Sequence, residues 1–188
     1  MSNGFPAERF LTFFGSIRQP ATTNLRVSLC AMVNEGATKI TILFASDGGS
    51  TDDGIALHTY LTALPVDLTM HAVGIVASVA IPIFLAAPTR VASRNARFFF
   101  HEYSWTHGQP TVVTQTTMAE QSMLLSDALK WTQEIVKART RLTDSDFDAM
   151  KLFDQPVIMT PDDAAAAGLV ARIAEPSIPA CTRPLVVL

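Results

Sequence analysis

The sequence predicts an α/β protein whose strands are joined by helical crossovers. Three observations carry that reading. Short β-rich runs almost free of charge recur along the chain, segments with helical spacing separate them, and clusters of Gly, Asp and Pro mark the junctions. With 188 residues, 48% of them hydrophobic and 16% charged, the chain is expected to form one domain, 1–188, around a sizeable core. That composition excludes a disordered or fibrous chain.

Leu11 to Gly15 reads as the first strand. Leu25, Leu29, Met32 and Val33 put one apolar face on a helix over Thr22–Asn34, which Gly36 ends. Lys39 to Ala45 is β-rich and uncharged after its first residue, as a buried parallel strand requires. The turn Ser46-Asp47-Gly48-Gly49-Ser50 follows, and Ile55, Leu57 and Leu61 return to helical spacing over Thr51–Leu64. Leu68 to Val76 is a second buried strand, leading through Ala77-Ser78 into an apolar helix, Val79–Ala87. Val91 and Phe98–Phe100 are short strands. A long polar helix, Thr116–Arg141, carries Met118, Met123, Leu124, Leu125, Leu129 and Ile135 among its charges. Pro161 opens a short helix, Asp162–Ala167, capped by Gly168 before a last strand, Leu169–Ala174.

Charge and cysteine usage narrow the function classes. The net charge is −3 and the 14 Lys and Arg form no run, so nothing marks a nucleic-acid or anionic-lipid surface. Cys30 and Cys181 lie far apart with no histidine at ligand spacing, which argues against a zinc site and a disulfide framework; no metal and no cofactor are expected. Met1–Arg9 lacks the basic and apolar regions of a signal peptide, and the longest apolar run, Ala72–Ala87, is broken by Gly74, Ser78 and Pro82. A soluble, cytoplasmic protein is the expectation.

Two strand-to-helix turns carry the chemistry. Paired glycines after a buried strand let backbone N–H groups approach a ligand closely, so Gly48-Gly49 suits an oxyanion cradle. No phosphate-loop pattern occurs. Ser78, opening an otherwise apolar helix, either caps that helix or serves as a nucleophile beside the amide of Val79; spacing alone leaves both open. His101 follows Phe98-Phe99-Phe100 and is the candidate base, whereas His58, His71 and His107 read as structural or exposed.

Together these residues resemble the caseinolytic protease proteolytic subunit, the ClpP family of serine peptidases. The family's Ser-Pro-Gly-Gly-Ser is matched by Ser46-Asp47-Gly48-Gly49-Ser50, its Gly-x-Ala-Ala-Ser-Met-Ala by Gly74–Ala80, and its Met-Ile-His by Phe99-Phe100-His101. Its late Ser/Thr-x-x-Glu-Ala-x-x-x-Gly-Leu-Val segment is matched by Thr160–Val170. The likeness runs from about Phe10 to Ile173, in the family's order. It implies a ClpP/crotonase-like fold of repeated βαβ units with a protruding handle helix, here Thr116–Arg141. It also implies Ser78 as nucleophile, His101 as general base, and the amides of Gly49 and Val79 as oxyanion hole. A ring-forming homo-oligomer acting on peptides or unfolded proteins follows from the same resemblance.

Several positions depart from the family pattern. Asp47 replaces a proline, Glu102-Tyr103 replaces Gln-Pro, and the position of the third triad member, four before Thr160, is Pro156. Asp154, two residues earlier, is assigned that role, with Asp162 and Asp163 read as helix-terminus residues and Glu102 as pointing to the opposite strand face. Only about ten residues precede the first strand, so the family's axial hairpin has no counterpart and an ATPase partner is not expected. The alternatives are a non-catalytic subunit assembling with an active paralogue, and a crotonase-like acyl-CoA enzyme.

Overall fold

The computed structural model describes residues 7–104, 114–178 and 185–187. Its elements run β1 (Glu8–Phe14), α1 (Ala21–Asn34), β2 (Lys39–Ser46), α2 (Thr51–Thr62), β3 (Asp67–Ala77), α3 (Ala80–Leu85), β4 (Thr89–Ala92) and β5 (Arg97–Phe100). After these come α4 (Gln115–Arg139), α5 (Asp144–Met150), β6 (Val157–Met159), α6 (Pro161–Ala166), β7 (Arg172–Ile173) and β8 (Leu185–Val187).

One sheet has the order β6-β5-β3-β2-β1-β8, with β4 joining β3 and β7. Every pairing is parallel except β5 with β6. The reason lies in the strand sequences. Ile40, Ile42 and Phe44 are fully buried on one face of β2, while Thr41 and Leu43 are nearly so on the other, the two-sided burial that parallel strands need. Leu25, Leu29 and Met32 of α1 join that core, as does the whole of α3.

The long strand β3 organises the site. Its first half, Thr69–Ala72, pairs with β4, and its last residues, Ile75–Ala77, pair with β5. Between Phe44 and Ser46 the register against β2 shifts, so Ser46 meets Val76. The carboxyl ends of β2, β3 and β5 are thereby gathered at one edge, where parallel α/β sheets present their ligand-facing turns.

Helix α4 stands away from the body along its first half. No residue from 115 to 127 is buried, and its buried residues Ala128, Thr132 and Val136 all lie in the second half. This is the protruding helix that the sequence implies.

Three differences from the sequence reading have local causes. The strand expected over Leu169–Ala174 shortens to Arg172–Ile173, because Leu169 and Val170 bond back to the Ala164 carbonyl as the end of α6. Helix α5 was not anticipated, although Thr143 and Asp146 form a reciprocal capping box at its start. Strand β6 is a three-residue edge strand, too short to show a period. No helix of the described residues is long and apolar enough to cross a membrane. No cluster of three metal-ligating side chains occurs among them. Cys181 and His107 lie outside the described residues, and Cys30 is an exposed free thiol.

Candidate active site

The Gly48-Gly49 turn is spliced onto the segment after β1. The Ser46 hydroxyl accepts the Gly48 N–H at 3.2 Å. The Ile17 N–H donates to the Gly48 carbonyl at 2.8 Å, and the Ser50 N–H donates to the Ile17 carbonyl at 2.7 Å. Gly48 and Gly49 sit at φ +100° and +152°, and a Cβ on Gly49 would drive into the Ile17 carbonyl. Only glycine fits there. The bridge uses the groups on either side of Gly49 and leaves its own N–H, on an exposed residue, without a partner among the described residues.

Ser78 lies across from this turn. A Cβ on Gly48 would come within 2.7 Å of the Ser78 Cβ and 3.2 Å of its Oγ, which fixes how closely the two turns approach. Ser78 has φ +56°, a left-handed conformation that costs an L-residue roughly 1–2 kcal/mol. Its N–H donates to the Phe99 carbonyl at 3.1 Å and its carbonyl accepts the Ile81 N–H at 3.0 Å. The capping reading of its side chain does not hold, because Val79 is the N-cap of α3 and no side chain caps that helix. Among the described residues the Ser78 hydroxyl has no partner. The one fully buried hydroxyl without a partner there is that of Thr22, so the Ser78 hydroxyl keeps contact with solvent. The Val79 N–H is likewise unpartnered among the described residues.

His101 leaves the end of β5, the strand beside β3. Its Nδ1 lies 2.7 Å from the Glu102 carbonyl. A carbonyl only accepts, so Nδ1 carries the proton and the neutral ring keeps its lone pair on Nε2. The Phe99 ring packs against the imidazole at a centroid distance of 5.0 Å.

An aromatic group holds the segments on either side of His101. Phe153 is 1% exposed and has φ +71°. Its ring meets Phe100 at 5.4 Å, Tyr103 at 6.2 Å and Phe147 at 6.2 Å. The Tyr103 hydroxyl shares a 2.7 Å hydrogen bond with Thr132 of α4, and burial pushes its pKa up to about 12. Asp154 follows Phe153 directly, yet its carboxylate is exposed and makes no hydrogen bond or ion pair among the described residues. Neither Ser78 nor Asp154 is hydrogen-bonded to His101 in this structure.

The departures noted in the sequence have clear positions. Asp47 is exposed and accepts a hydrogen bond from the Ser16 hydroxyl at 3.3 Å. Glu102 is exposed beyond the end of β5. Asp163 accepts from both the N–H and hydroxyl of Thr160, which lowers its pKa, and Asp162 pairs with Arg94 at 3.3 Å. Both therefore act at the start of α6, as read from the sequence. Sequence reasoning missed Ile17 and Ser46, which hold the glycine turn, and the Tyr103–Phe153 contact. Ile17 gave no signal, since its role arises only where the chain returns 32 residues later at Gly49.

Beside His101, a cleft of about 400 Å³ runs between Glu102-Tyr103 and the exposed half of α4, lined by Met118, Ser122, Leu125 and Leu129. Its lining mixes the apolar Met118, Leu125 and Leu129 with the polar Glu102, Gln121 and Ser126.

Comparison with known proteins is consistent across sequence and structure. A family model for Clp protease matches residues 2–177. The ATP-dependent Clp protease proteolytic subunit 3 of Rhizobium etli is 24% identical over 168 residues, covering 88% of this chain and 83% of the relative. Its counterpart in Rhizobium johnstonii matches with the same identity and coverage. A ClpP1 variant from Listeria monocytogenes superposes with a TM-score of 0.77 at 19% identity, covering 89% of this chain and 92% of that one.

Proposed function

The chain belongs to the Clp protease family, and from that premise we propose that it is a serine peptidase hydrolysing short or unfolded polypeptides. The observation that carries the reading is the strained Ser78 turn, with an uncapping, solvent-touching hydroxyl beside two unpartnered amides. A strained residue whose side chain stabilises nothing locally is a mark of function.

In the reaction, Nε2 of His101 takes the Ser78 hydroxyl proton as Oγ attacks the substrate carbonyl. The oxygen that becomes negative is held by the N–H groups of Gly49 and Val79, where one donor is worth about 3–4 kcal/mol of transition-state stabilisation. His101 then protonates the leaving amine, and water repeats the sequence to release the acyl group. Asp154 is the proposed carboxylate for the imidazolium, reaching His101 by movement of its exposed side chain over the Phe153 anchor. In the resting arrangement the Glu102 carbonyl already holds the reactive tautomer. Apo sites of this kind commonly tighten only with substrate bound.

Peptide hydrolysis is downhill and consumes no nucleotide, so short substrates need no ATPase on this reading. The ATP dependence in the relatives' names belongs to those proteins. The exposed Met118, Met123 and Leu124 on the projecting half of α4, at 60%, 72% and 57%, support a homo-oligomer, ring-like, in which they are covered. An exposed free Cys30 fits a reducing cytoplasm.

A non-catalytic subunit is the second reading, favoured by the absence of hydrogen bonds linking Ser78, His101 and Asp154. No observation favours the acyl-CoA reading. Hydrolysis of a fluorogenic short peptide without ATP tests the proposal. Turnover that Ser78→Ala reduces to background supports the peptidase, and a wild-type protein without turnover supports the scaffold.

A further inference from the structure

Three arginines outside the peptidase site converge on one cleft. Arg90 lies in β4, Arg139 ends α4 and Arg141 follows it, and the three line a cavity of about 390 Å³ with Thr140 and Gly168. Arg90 donates Nε–H to the Leu169 carbonyl at 2.7 Å, Nη1 to Ala87 at 2.8 Å, and Nη2 to Arg139 at 3.0 Å and Gly168 at 3.3 Å. Arg139 donates Nε to the Leu85 carbonyl at 3.0 Å and Nη2 to Ala86 at 3.3 Å and Ala87 at 3.1 Å. Two guanidinium groups therefore share the Ala87 carbonyl. Arg141 donates Nε to Ala166 at 3.2 Å and Nη2 to Ala165 at 2.5 Å and Ala166 at 2.9 Å.

Every acceptor is a neutral main-chain carbonyl. No carboxylate reaches ion-pair distance of these three arginines among the described residues, whereas Arg9 and Arg94 pair with Glu35 and Asp162. Capping alone does not account for the cluster. A helix C-terminus carries about half a negative charge, so the ends of α3, α4 and α6 together offset roughly half of the three positive charges. Both N–H groups of Nη1 on Arg139, and both on Arg141, remain without a protein acceptor among the described residues. Burial and the nearby charge of Arg139 both lower the pKa of Arg90, the direction expected where like charges meet without a counter-ion.

We propose that this cleft binds a phosphate-class oxyanion, either free phosphate or the phosphate of a nucleoside diphosphate, through the unpartnered Nη1 groups of Arg139 and Arg141. Each Nη1 presents two charge-assisted N–H donors to the same cleft, and a dianion matches the uncompensated charge. The site is remote from the chemistry. Arg90 is in register with Met70, near the start of β3, while Ser78 follows its end, roughly 25 Å along the strand.

Calorimetric titration at constant ionic strength in chloride, with sodium phosphate and separately with ADP, tests this on the full chain. Saturable binding is expected, weakened at least tenfold by Arg141→Gln and unchanged by Arg94→Gln. Equal affinity for both ligands assigns free phosphate, and tighter ADP binding assigns the nucleotide. Arg141→Lys, which keeps the charge without the guanidinium donors, is expected to lose affinity by a smaller factor, and it serves if the Gln variant fails to fold by circular dichroism. Absence of saturable binding to either ligand overturns the proposal. So does wild-type affinity in Arg141→Gln, or in Arg141→Lys if that variant has to serve.

Discussion

Replacing Ser78 by alanine and by glycine separates the two roles a serine at this turn can have. Ser78 sits at φ +56°, a conformation costing an L-residue roughly 1–2 kcal/mol. Its hydroxyl has no partner among the described residues and no side chain caps α3. Alanine keeps the Cβ and the strain, so its stability is expected within about 0.5 kcal/mol of wild type. Glycine removes the strain, regaining about 1–2 kcal/mol, but its freer unfolded chain costs about 0.5–1 kcal/mol. The glycine variant is therefore expected to equal or exceed wild type by up to about 1.5 kcal/mol. At this chain length 1 kcal/mol moves the melting temperature by about 2–4 °C. Scanning fluorimetry at one fixed protein concentration reads the difference, since the proposed oligomer would make melting concentration-dependent. A helix cap behaves in the opposite way, with alanine costing about 1 kcal/mol and glycine only a few tenths. An alanine variant melting 2–4 °C below wild type, with glycine close to it, refutes the argument.

Gly49→Ala forces a Cβ into the Ile17 carbonyl at φ +152°. It is expected to destabilise by about 1–3 kcal/mol and to abolish peptide turnover by dislodging the Gly49 amide, both measurable by urea unfolding and a fluorogenic assay. Asp154→Asn is expected to lower kcat by up to about 10⁴-fold with unchanged melting, and unchanged kcat identifies a Ser-His dyad oriented by the Glu102 carbonyl. His58 and His71 have pKa values lowered chiefly by burial, each partly offset by its bond to a carbonyl, of Pro82 and Ala174 respectively. Below pH 6.5 the unfolded chain takes up protons that these folded rings resist. Stability is thus full above about pH 6.5 and falls as pH drops toward the lowered folded values. Melting temperature is expected to decline between pH 7.5 and 5.5, and less steeply in His71→Gln, whereas equal slopes exclude His71. Met123→Glu with Leu124→Glu is expected to break the proposed homo-oligomer, read as a fall in mass by light scattering.

Local pattern made the sheet legible. Lys39–Ala45 and Leu68–Val76 read as buried strands because both of their faces are covered, and the structure extends each by one residue or so. Helix α1 showed itself through Leu25, Leu29 and Met32, which all reach the core. The glycine turn and Ser78 were visible because strand-to-helix junctions concentrate unusual backbone. What depended on distant contacts was not. The Ile17 splint, the Phe153 anchor under Phe100 and Tyr103, and the edge pairing of β6 arise from chain returns that no local period encodes. Asp154 illustrates the limit. A two-residue shift in the family pattern points to it, but its side-chain reach is set by the bend at Phe153, which no local pattern encodes. Whether Ser78 caps α3 is equally closed to spacing, since the answer is one hydrogen bond and one backbone angle.

Active-site labelling tests whether Ser78 is an activated nucleophile. The purified full chain is treated with a fluorophosphonate probe, and the modified peptide is located by mass spectrometry. Reaction requires a hydroxyl activated by a base and an oxyanion hole to receive the phosphoryl oxygen. Stoichiometric modification at Ser78 is expected, lost in Ser78→Ala and strongly slowed in His101→Ala. An unlabelled chain, or label on another residue with Ser78 intact, contradicts it.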